Sequence, residues 1–191
     1  MNSRNWCRKA TRARGRAVSS VSRSGSRRGI PPAPRLIIAP GHLAAAEGLS
    51  GFEIKNRGFP GYSNGGTKAL CSSHVEHGDN RLVFCESAID ALSFPALFPD
   101  QHTRYASIGG RPAPVQRALM WAAASVVPAS STVVAAMDAD EAGRELTEIV
   151  CEAVNLTARS DLRFETIEPG RFKDRNDQLR GRPKIPLPYR P

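Results

Sequence analysis

The sequence predicts an α/β fold in which a mainly parallel sheet of four strands carries helices on both faces. Between residues 81 and 180, short apolar runs alternate with longer segments whose apolar residues recur at helical spacing. This alternation is typical of parallel strands that are joined by helices and covered on both sides. The chain of 191 residues is 40% hydrophobic, which is sufficient for one domain of ordinary size with flanking segments.

Four strands are predicted from short apolar runs. Residues 82–85 and 132–137 are almost entirely apolar, as expected of strands that are buried on both faces. Residues 105–108 form a similar run, which a pair of glycines brings to an end. Residues 161–166 alternate between polar and apolar side chains, and this period of two is the pattern of a strand.

Three helices are predicted between and after these strands. Residues 87–94 place apolar side chains on one face, and Pro95 is expected to end that helix. Residues 114–127 carry apolar side chains at the i, i+3, i+4, i+7 spacing of an amphipathic helix. Residues 141–156 repeat that spacing, so each helix has one face that can cover the sheet.

Residues 36–80 are predicted to form a small segment of short strands and tight turns ahead of the main domain. Residues 51–62 combine glycines and a proline with aromatic side chains, which is typical of strands joined by turns. Residues 63–68 are rich in glycine and end at Lys68. We interpret them first as a hairpin turn and second as a contact for phosphate.

The positive charge of the chain is concentrated in residues 1–35. This segment has ten Lys or Arg and no Asp or Glu, whereas residues 36–191 have 17 basic and 18 acidic residues. Its composition cannot bury enough apolar surface to offset the entropy of ordering, so we predict a disordered basic tail. Two interpretations stay open: an arm that contacts phosphates, or a leader without function. Residues 181–191 are predicted to form a proline-rich C-terminal tail.

Deletion of residues 1–35 is expected to weaken nonspecific binding to DNA, because these residues hold the excess positive charge. Each neutralised phosphate contributes about −0.9 to the slope of log affinity against log salt on duplex DNA, and about −0.7 on single strands. Binding titrations at several salt concentrations should therefore give a flatter slope for the truncated protein. The same affinity and the same slope in both proteins would identify the tail as an inert leader.

The cysteine pattern and the hydropathy argue against several classes of protein. Cys7, Cys71, Cys85 and Cys151 include no CxxC pair, so neither a zinc ribbon nor a disulfide framework is indicated. No apolar run approaches the roughly 18 to 20 residues that a membrane span needs, and the N-terminus lacks the apolar core of a secretory signal. We therefore expect a cytoplasmic protein with reduced thiols and no association with a membrane.

Acidic residues follow the ends of two predicted strands. Glu86 comes directly after residues 82–85, and Asp138 and Asp140 follow residues 132–137. In a parallel sheet these ends meet at one edge, where ligands usually bind. Three crowded carboxylates repel one another, and a hard divalent cation such as Mg²⁺ relieves the repulsion. The two aspartates alone would be explained as capping residues of the next helix, but Glu86 on a second strand favours a metal site.

Four segments occur in a fixed order along the predicted domain: residues 83–93, 107–110, 136–143 and 173–179. Together they resemble the Toprim domain of DNA primases. The likeness is greatest to the form carried by primase-like and relaxase-associated proteins of plasmids and other mobile elements. The family often has glycine after its first glutamate, where this chain has Ser87.

The resemblance implies a four-stranded parallel Toprim sheet with Glu86 as the catalytic residue, acting as a metal ligand or as a general acid and base. Asp138 and Asp140 would form the metal-binding pair that holds Mg²⁺ or Mn²⁺ together with Glu86. Asp90 matches the next acidic position of the family. We expect it on an exposed face of the first helix and give it a weaker role.

Further polar residues are expected at the same edge of the sheet. By the resemblance, Asp174 and Asp177 either help to hold the site or belong to a solvated turn. A set of basic side chains forms the rim and is a weaker candidate for contact with nucleic acid. This set consists of Lys68, Arg111, Arg144 and Lys173.

The resemblance further implies Mg²⁺-dependent nucleotidyl transfer of the primase type on single-stranded DNA, in the replication or transfer of a plasmid or another mobile element. A Mg²⁺-dependent nuclease is an alternative, because the same acidic cluster serves cleavage. A third alternative is a non-catalytic or degenerate accessory fragment that binds DNA. The zinc-binding module and helicase region of primases are not recognised in the sequence. A relaxase, a helicase or a separate zinc-binding module is therefore expected as a partner beside single-stranded DNA and nucleotides.

Overall fold

The computed structural model describes residues 35–40, 49–56 and 59–183. These residues form a mainly parallel sheet with helices on both faces and a separate antiparallel sheet that precedes it in the chain. The predicted α/β fold class is confirmed. The predicted basic tail, apart from Arg35, and residues 184–191 of the predicted proline-rich tail lie outside the described residues, so both remain predictions.

The strands and helices predicted for the main domain follow one another in the expected order, and a short fourth helix that was not predicted comes after them. The strands are β1 (Arg35–Pro40), β2 (Leu49–Asn56), β3 (Phe59–Tyr62), β4 (Cys71–Ser72), β5 (Arg81–Cys85), β6 (Thr103–Ser107), β7 (Thr132–Ala136) and β8 (Arg163–Thr166). The helices are α1 (Ala88–Leu97), α2 (Pro114–Ser125), α3 (Glu141–Asn155) and α4 (Arg175–Leu179).

The main sheet has five strands in the order β4-β6-β5-β7-β8. Strands β5 to β8 run parallel and correspond to the four strands predicted from the sequence. The expected total of four was wrong, because β4 joins the edge of the sheet antiparallel to β6. This edge strand is only two residues long, which is too short for a periodic pattern to reveal it.

The helices cover the two faces because side chains alternate along each strand. Leu82, Phe84 and Val133 point to the face that α2 and α3 cover, and they belong to the larger apolar cluster. Val83 and Val134 point to the opposite face and pack in a second cluster with residues of α1. The central strands are therefore buried on both sides, as the continuous apolar runs of the sequence predict.

Pro95 does not end α1, contrary to the prediction, since the helix continues to Leu97. Proline lacks the N–H that would bond to the carbonyl four residues earlier, so only one bond of the last turn is lost. The N–H of Phe98 still donates to the carbonyl of Phe94 at 2.8 Å, which closes the helix beyond the proline.

The segment before β5 is attached to the edge of the main sheet by several hydrogen bonds. The Gln116 side chain on α2 is buried, and its Nε2 donates to the carbonyls of Ala69 (3.2 Å) and Ile108 (2.6 Å). The Ser73 hydroxyl accepts the N–H of Tyr105 at 3.0 Å, which continues the pairing of β4 with β6. The three-stranded sheet β1-β2-β3 precedes this segment and is antiparallel throughout.

In the part of the chain that the structure describes, no helix has both the length and the apolar character needed to cross a membrane.

Candidate functional site

Two of the predicted site residues meet at the carboxyl edge of the main sheet. Glu86 follows the last residue of β5, and Asp138 lies two residues beyond the end of β7. These strands are parallel neighbours, with Cys85 opposite Ala136. Because adjacent parallel strands end at the same edge of a sheet, the two carboxylates lie at the same edge.

The backbone of Glu86 is fixed by a glycine pair that follows β6. Its carbonyl oxygen accepts the N–H groups of Gly109 (2.7 Å) and Gly110 (3.1 Å). Both glycines have positive φ, at 75° and 79°, a conformation that residues with a Cβ rarely adopt. Two successive N–H groups can therefore converge on one oxygen, and this explains the glycine pair of the second motif. The Oε2 atom of the Glu86 side chain is itself buried.

Asp138 lies among other carboxylates. Burial is the largest cause of a rise in its pKa, and the charge of Glu86 is the next. Asp90 and Asp174 add to this effect, whereas Lys173 acts in the opposite direction. Together they raise the pKa of Asp138 from its ordinary 3.8 to about 8. The cluster therefore has an excess of negative charge that a cation would relieve.

Asp140 has a different position from Asp138. It is the N-cap of α3, and its Oδ1 accepts the N–H of Gly143 at 3.0 Å. The capping explanation from the sequence therefore applies to Asp140, while Asp138 faces the acidic cluster. Within the described ranges, no group of three or more His, Cys, Asp or Glu side chains is arranged to hold a metal ion as it stands.

Gly143 explains why the third motif ends in glycine. A Cβ at this position would lie 2.0 Å from the carbonyl oxygen of Asp138 and 2.8 Å from its carbonyl carbon. The first turn of α3 therefore packs directly onto the Asp138 backbone. Only a residue without a side chain permits this approach. The close packing of α3 on the Asp138 backbone in turn fixes the position of the Asp138 carboxylate.

Asp90 is buried, contrary to the expectation that it lies on an exposed helix face. Its Oδ2 accepts a hydrogen bond from the hydroxyl of Ser87, the N-cap of α1, and its Oδ1 accepts the N–H of Asn176 at 3.2 Å. Asp90 therefore connects the start of α1 with the start of α4. The expectation failed because α4 follows Asp90 by more than 80 residues, so the sequence does not reveal that α4 covers this face of α1.

Arg175 is a buried cation that the sequence does not predict. Its guanidinium lies over the rings of Phe94 and Phe98, at 5.5 and 5.8 Å from the ring centroids, and donates to the carbonyl of Ile167. It also donates to Gln178 Oε1 at 2.7 Å. An arginine in a polar segment gives no sequence signal of burial, because its burial depends on two aromatic residues at the end of α1, Phe94 and Phe98.

The two acidic residues of the last motif differ in role. Asp174 is half-buried, caps α4 by accepting the N–H of Asp177 at 2.7 Å, and acts electrostatically on Asp138. Asp177 contributes backbone contacts, and its carbonyl accepts the N–H of Arg182 at 2.9 Å. The structure thus places Asp174 beside the candidate site.

The four basic candidates lie in loops or a first turn near the carboxyl edge, with different surroundings. The Lys68 ammonium donates to the carbonyl of Arg111 at 2.7 Å, and the Arg111 side chain is exposed. The Lys173 carbonyl accepts the N–H of Ala139 at 2.8 Å, so this lysine is next to the acidic cluster. Arg144 pairs with Glu141 on the exposed surface of α3.

We expect the free energy of unfolding to fall as the pH rises from about 4 to about 8 in the absence of metal. The folded protein keeps a proton on Asp138 up to about pH 8, whereas the unfolded chain releases it near 3.8. The folded state therefore binds more protons across this window, and stability falls with rising pH. The Asp138→Asn variant should lose this part of the pH dependence. Urea unfolding at pH 5 and pH 8 in a chelating buffer measures it, with Glu148→Gln on the exposed surface of α3 as the control. The same pH dependence in Asp138→Asn and in the unchanged protein would contradict the assignment.

A sequence model of the Toprim-like family matches residues 83–179, just over half of the chain. The match covers the strands and helices that carry Glu86, Asp138 and Asp174. A search of curated proteins finds no match. Toprim domains generally bind Mg²⁺, and the family indicates a metal-dependent function on nucleic acid. The chain belongs to the Toprim-like family.

Proposed function

We propose that this protein is a Mg²⁺-dependent nucleotidyltransferase of the primase type that acts on single-stranded DNA. The observation that carries the proposal is the meeting of Glu86 and Asp138 at the ends of adjacent parallel strands, with Asp174 beside them. A role in the replication or transfer of a plasmid or another mobile element rests on the resemblance of the motifs.

The side chains of Glu86, Asp138 and Asp174 have donor groups that suit Mg²⁺ or Mn²⁺. All three are carboxylates, which are the hard oxygen ligands that these ions prefer. Burial first, and then the charge of Glu86, raises the pKa of Asp138, and a divalent cation would offset both by stabilising the ionised carboxylate. Asp138 and Glu86 would hold the metal with Asp174 adjoining. Asp140, the other ligand expected from the sequence, has its Oδ1 engaged in capping α3.

The side chains of the site divide the work of the proposed reaction. Bound Mg²⁺ supplies charge neutralisation at the phosphates and a lower pKa for the attacking hydroxyl. Glu86, whose backbone is fixed by two hydrogen bonds, would accept or return a proton at the reacting oxygen. Lys173 beside Asp138 supplies positive charge for a phosphate. Asp90 and Arg175 hold α4, and with it Asp174, against α1.

A second candidate function is an accessory DNA-binding fragment without turnover. The engagement of Asp140 in the cap of α3 favours it, because one expected metal ligand is then occupied by the backbone. This alternative predicts binding of single-stranded DNA that does not depend on Mg²⁺ and is unaffected by Asp138→Asn.

The proposal is tested with single-stranded DNA, labelled ribonucleotides and Mg²⁺, beside an end-labelled DNA control. The expected product is longer than the input and requires Mg²⁺, and the Asp138→Asn protein should not form it. Shortened DNA would indicate a nuclease instead. DNA of unchanged length, although the protein binds it, would indicate the accessory function. Either result would contradict nucleotidyl transfer.

A further inference from the structure

We propose that Lys68 is a positioning residue that holds Glu86 in place through the loop after β6. This inference rests on the proposed function for its catalytic consequence. It extends the active site beyond the segment that matches the Toprim-like family, because the match begins at residue 83 and Lys68 precedes it.

A continuous set of contacts connects Lys68 with Glu86. The Lys68 ammonium donates to the carbonyl of Arg111 at 2.7 Å. In the same loop, the N–H groups of Gly109 and Gly110 donate to the carbonyl of Glu86 at 2.7 and 3.1 Å. A Cβ on Gly109 would lie 3.4 Å from Lys68 Cε, so the lysine stem runs alongside the loop. Lys68 thus holds one end of the loop, and the other end holds Glu86.

The loop after β6 contains two glycines and is therefore expected to be flexible without an additional contact. Gly109 and Gly110 are both at positive φ, and glycine gives a free chain many other conformations. The backbone beside Lys68 is itself secured, because the Ala69 carbonyl accepts a hydrogen bond from the buried side chain of Gln116. Cys71, three residues along, pairs with Ser107 at the edge of the main sheet. The backbone that carries Lys68 is therefore held in place, so the hydrogen bond of the Lys68 side chain can restrict the conformation of the loop.

This role differs from the contact with phosphate that the sequence suggested for Lys68. A lysine that neutralises a phosphate contributes about −0.7 to the salt slope of binding to single-stranded DNA, and its loss makes the slope shallower by that amount. A lysine that positions Glu86 through the loop leaves the slope unchanged and alters the rate of the chemical step. The two roles are therefore separable by measurement.

The test compares Lys68→Met and Lys68→Arg with a control, Arg163→Met, which removes an exposed positive charge on the edge strand β8. Amide hydrogen exchange is measured on the full chain at Gly109 and Gly110, with Val134 of the buried strand β7 reporting the fold. Loss of a hydrogen bond from a charged donor should speed exchange at both glycines by about tenfold or more in Lys68→Met. Exchange at Val134 should not change, and Lys68→Arg should restore part of the protection.

The extension assay and DNA titrations give the second part of the test. Lys68→Met is expected to lower kcat with little change in KM or in the salt slope, while Arg163→Met behaves as the unchanged protein. Unchanged exchange at Gly109 and Gly110 in Lys68→Met, or a shallower salt slope, would overturn the inference. The measurement of amide hydrogen exchange does not require the protein to be catalytically active. If the unchanged protein fails to extend DNA while exchange responds as expected, the loop contact is upheld and nucleotidyl transfer is rejected.

Discussion

Glu86→Gln is expected to lower the rate of nucleotide incorporation by about 10²-fold or more, the usual scale for loss of a general acid or base. The substitution is nearly isosteric, and the backbone hydrogen bonds from Gly109 and Gly110 to the Glu86 carbonyl do not depend on the side chain. The variant should therefore fold. Its melting temperature without metal at neutral pH should rise, because loss of the Glu86 charge lowers the pKa of Asp138 and with it the cost of keeping Asp138 protonated in the folded state.

The measurement is single-turnover incorporation at saturating nucleotide and Mg²⁺. Glu148→Gln, an exposed glutamate on α3, is the matched control and should retain the full rate. A well-folded Glu86→Gln protein with full activity would remove Glu86 from the mechanism. Loss of activity in both variants would indicate a general effect of charge and not a role of Glu86 in the reaction.

Gly143→Ala is expected to destabilise the protein by about 3 kcal/mol, the upper end of the usual cost of overpacking. A Cβ would lie 2.0 Å from the carbonyl oxygen of Asp138. Because this oxygen belongs to the backbone, it cannot avoid the clash by a change of rotamer, as a flexible side chain could. Either α3 or the segment after β7 must shift, so the Asp138 carboxylate should move and the rate of incorporation should fall as well.

Urea unfolding and the incorporation assay together measure the effect of Gly143→Ala. The control is Glu145→Ala on the same helix, where the side chain is exposed and a change within about 0.5 kcal/mol is expected. If Gly143→Ala unfolds at the same urea concentration as the unchanged protein, α3 does not pack on Asp138 as described.

The strands and helices of the main domain could be predicted from the sequence because burial imposes a period on them. The runs at 82–85 and 132–137 are apolar since β5 and β7 are covered on both faces. The same periodicity could not reveal β4, which has two residues, or the end of α1, where Pro95 removes a single bond. Short elements and helix ends depend on a few local hydrogen bonds that leave no repeated pattern.

The candidate site could be predicted in part. Glu86 and Asp138 could be predicted because they follow the ends of adjacent parallel strands, and such ends meet at one edge of the sheet regardless of the loop conformations. The arrangement of α4 against α1 depends on contacts between residues far apart in the chain. The burial of Asp90 and Arg175 therefore appeared only in the structure. Spacing alone could not separate Asp138 from Asp140, since the cap of α3 decides which one faces the cluster.

The most direct test of the metal site is the melting temperature of the full chain with and without millimolar Mg²⁺ or Mn²⁺. A ligand that binds only the folded state at 100 times its Kd stabilises it by about 2.7 kcal/mol, so the unchanged protein should melt at a higher temperature with metal. Asp138→Asn, alone or with Asp140→Asn, should melt at the same temperature with and without metal. Asp140→Asn alone should keep most of the response, because Asp140 caps α3 and asparagine can cap it as well. An undiminished rise in the Asp138→Asn protein would contradict the assignment of the metal to this cluster.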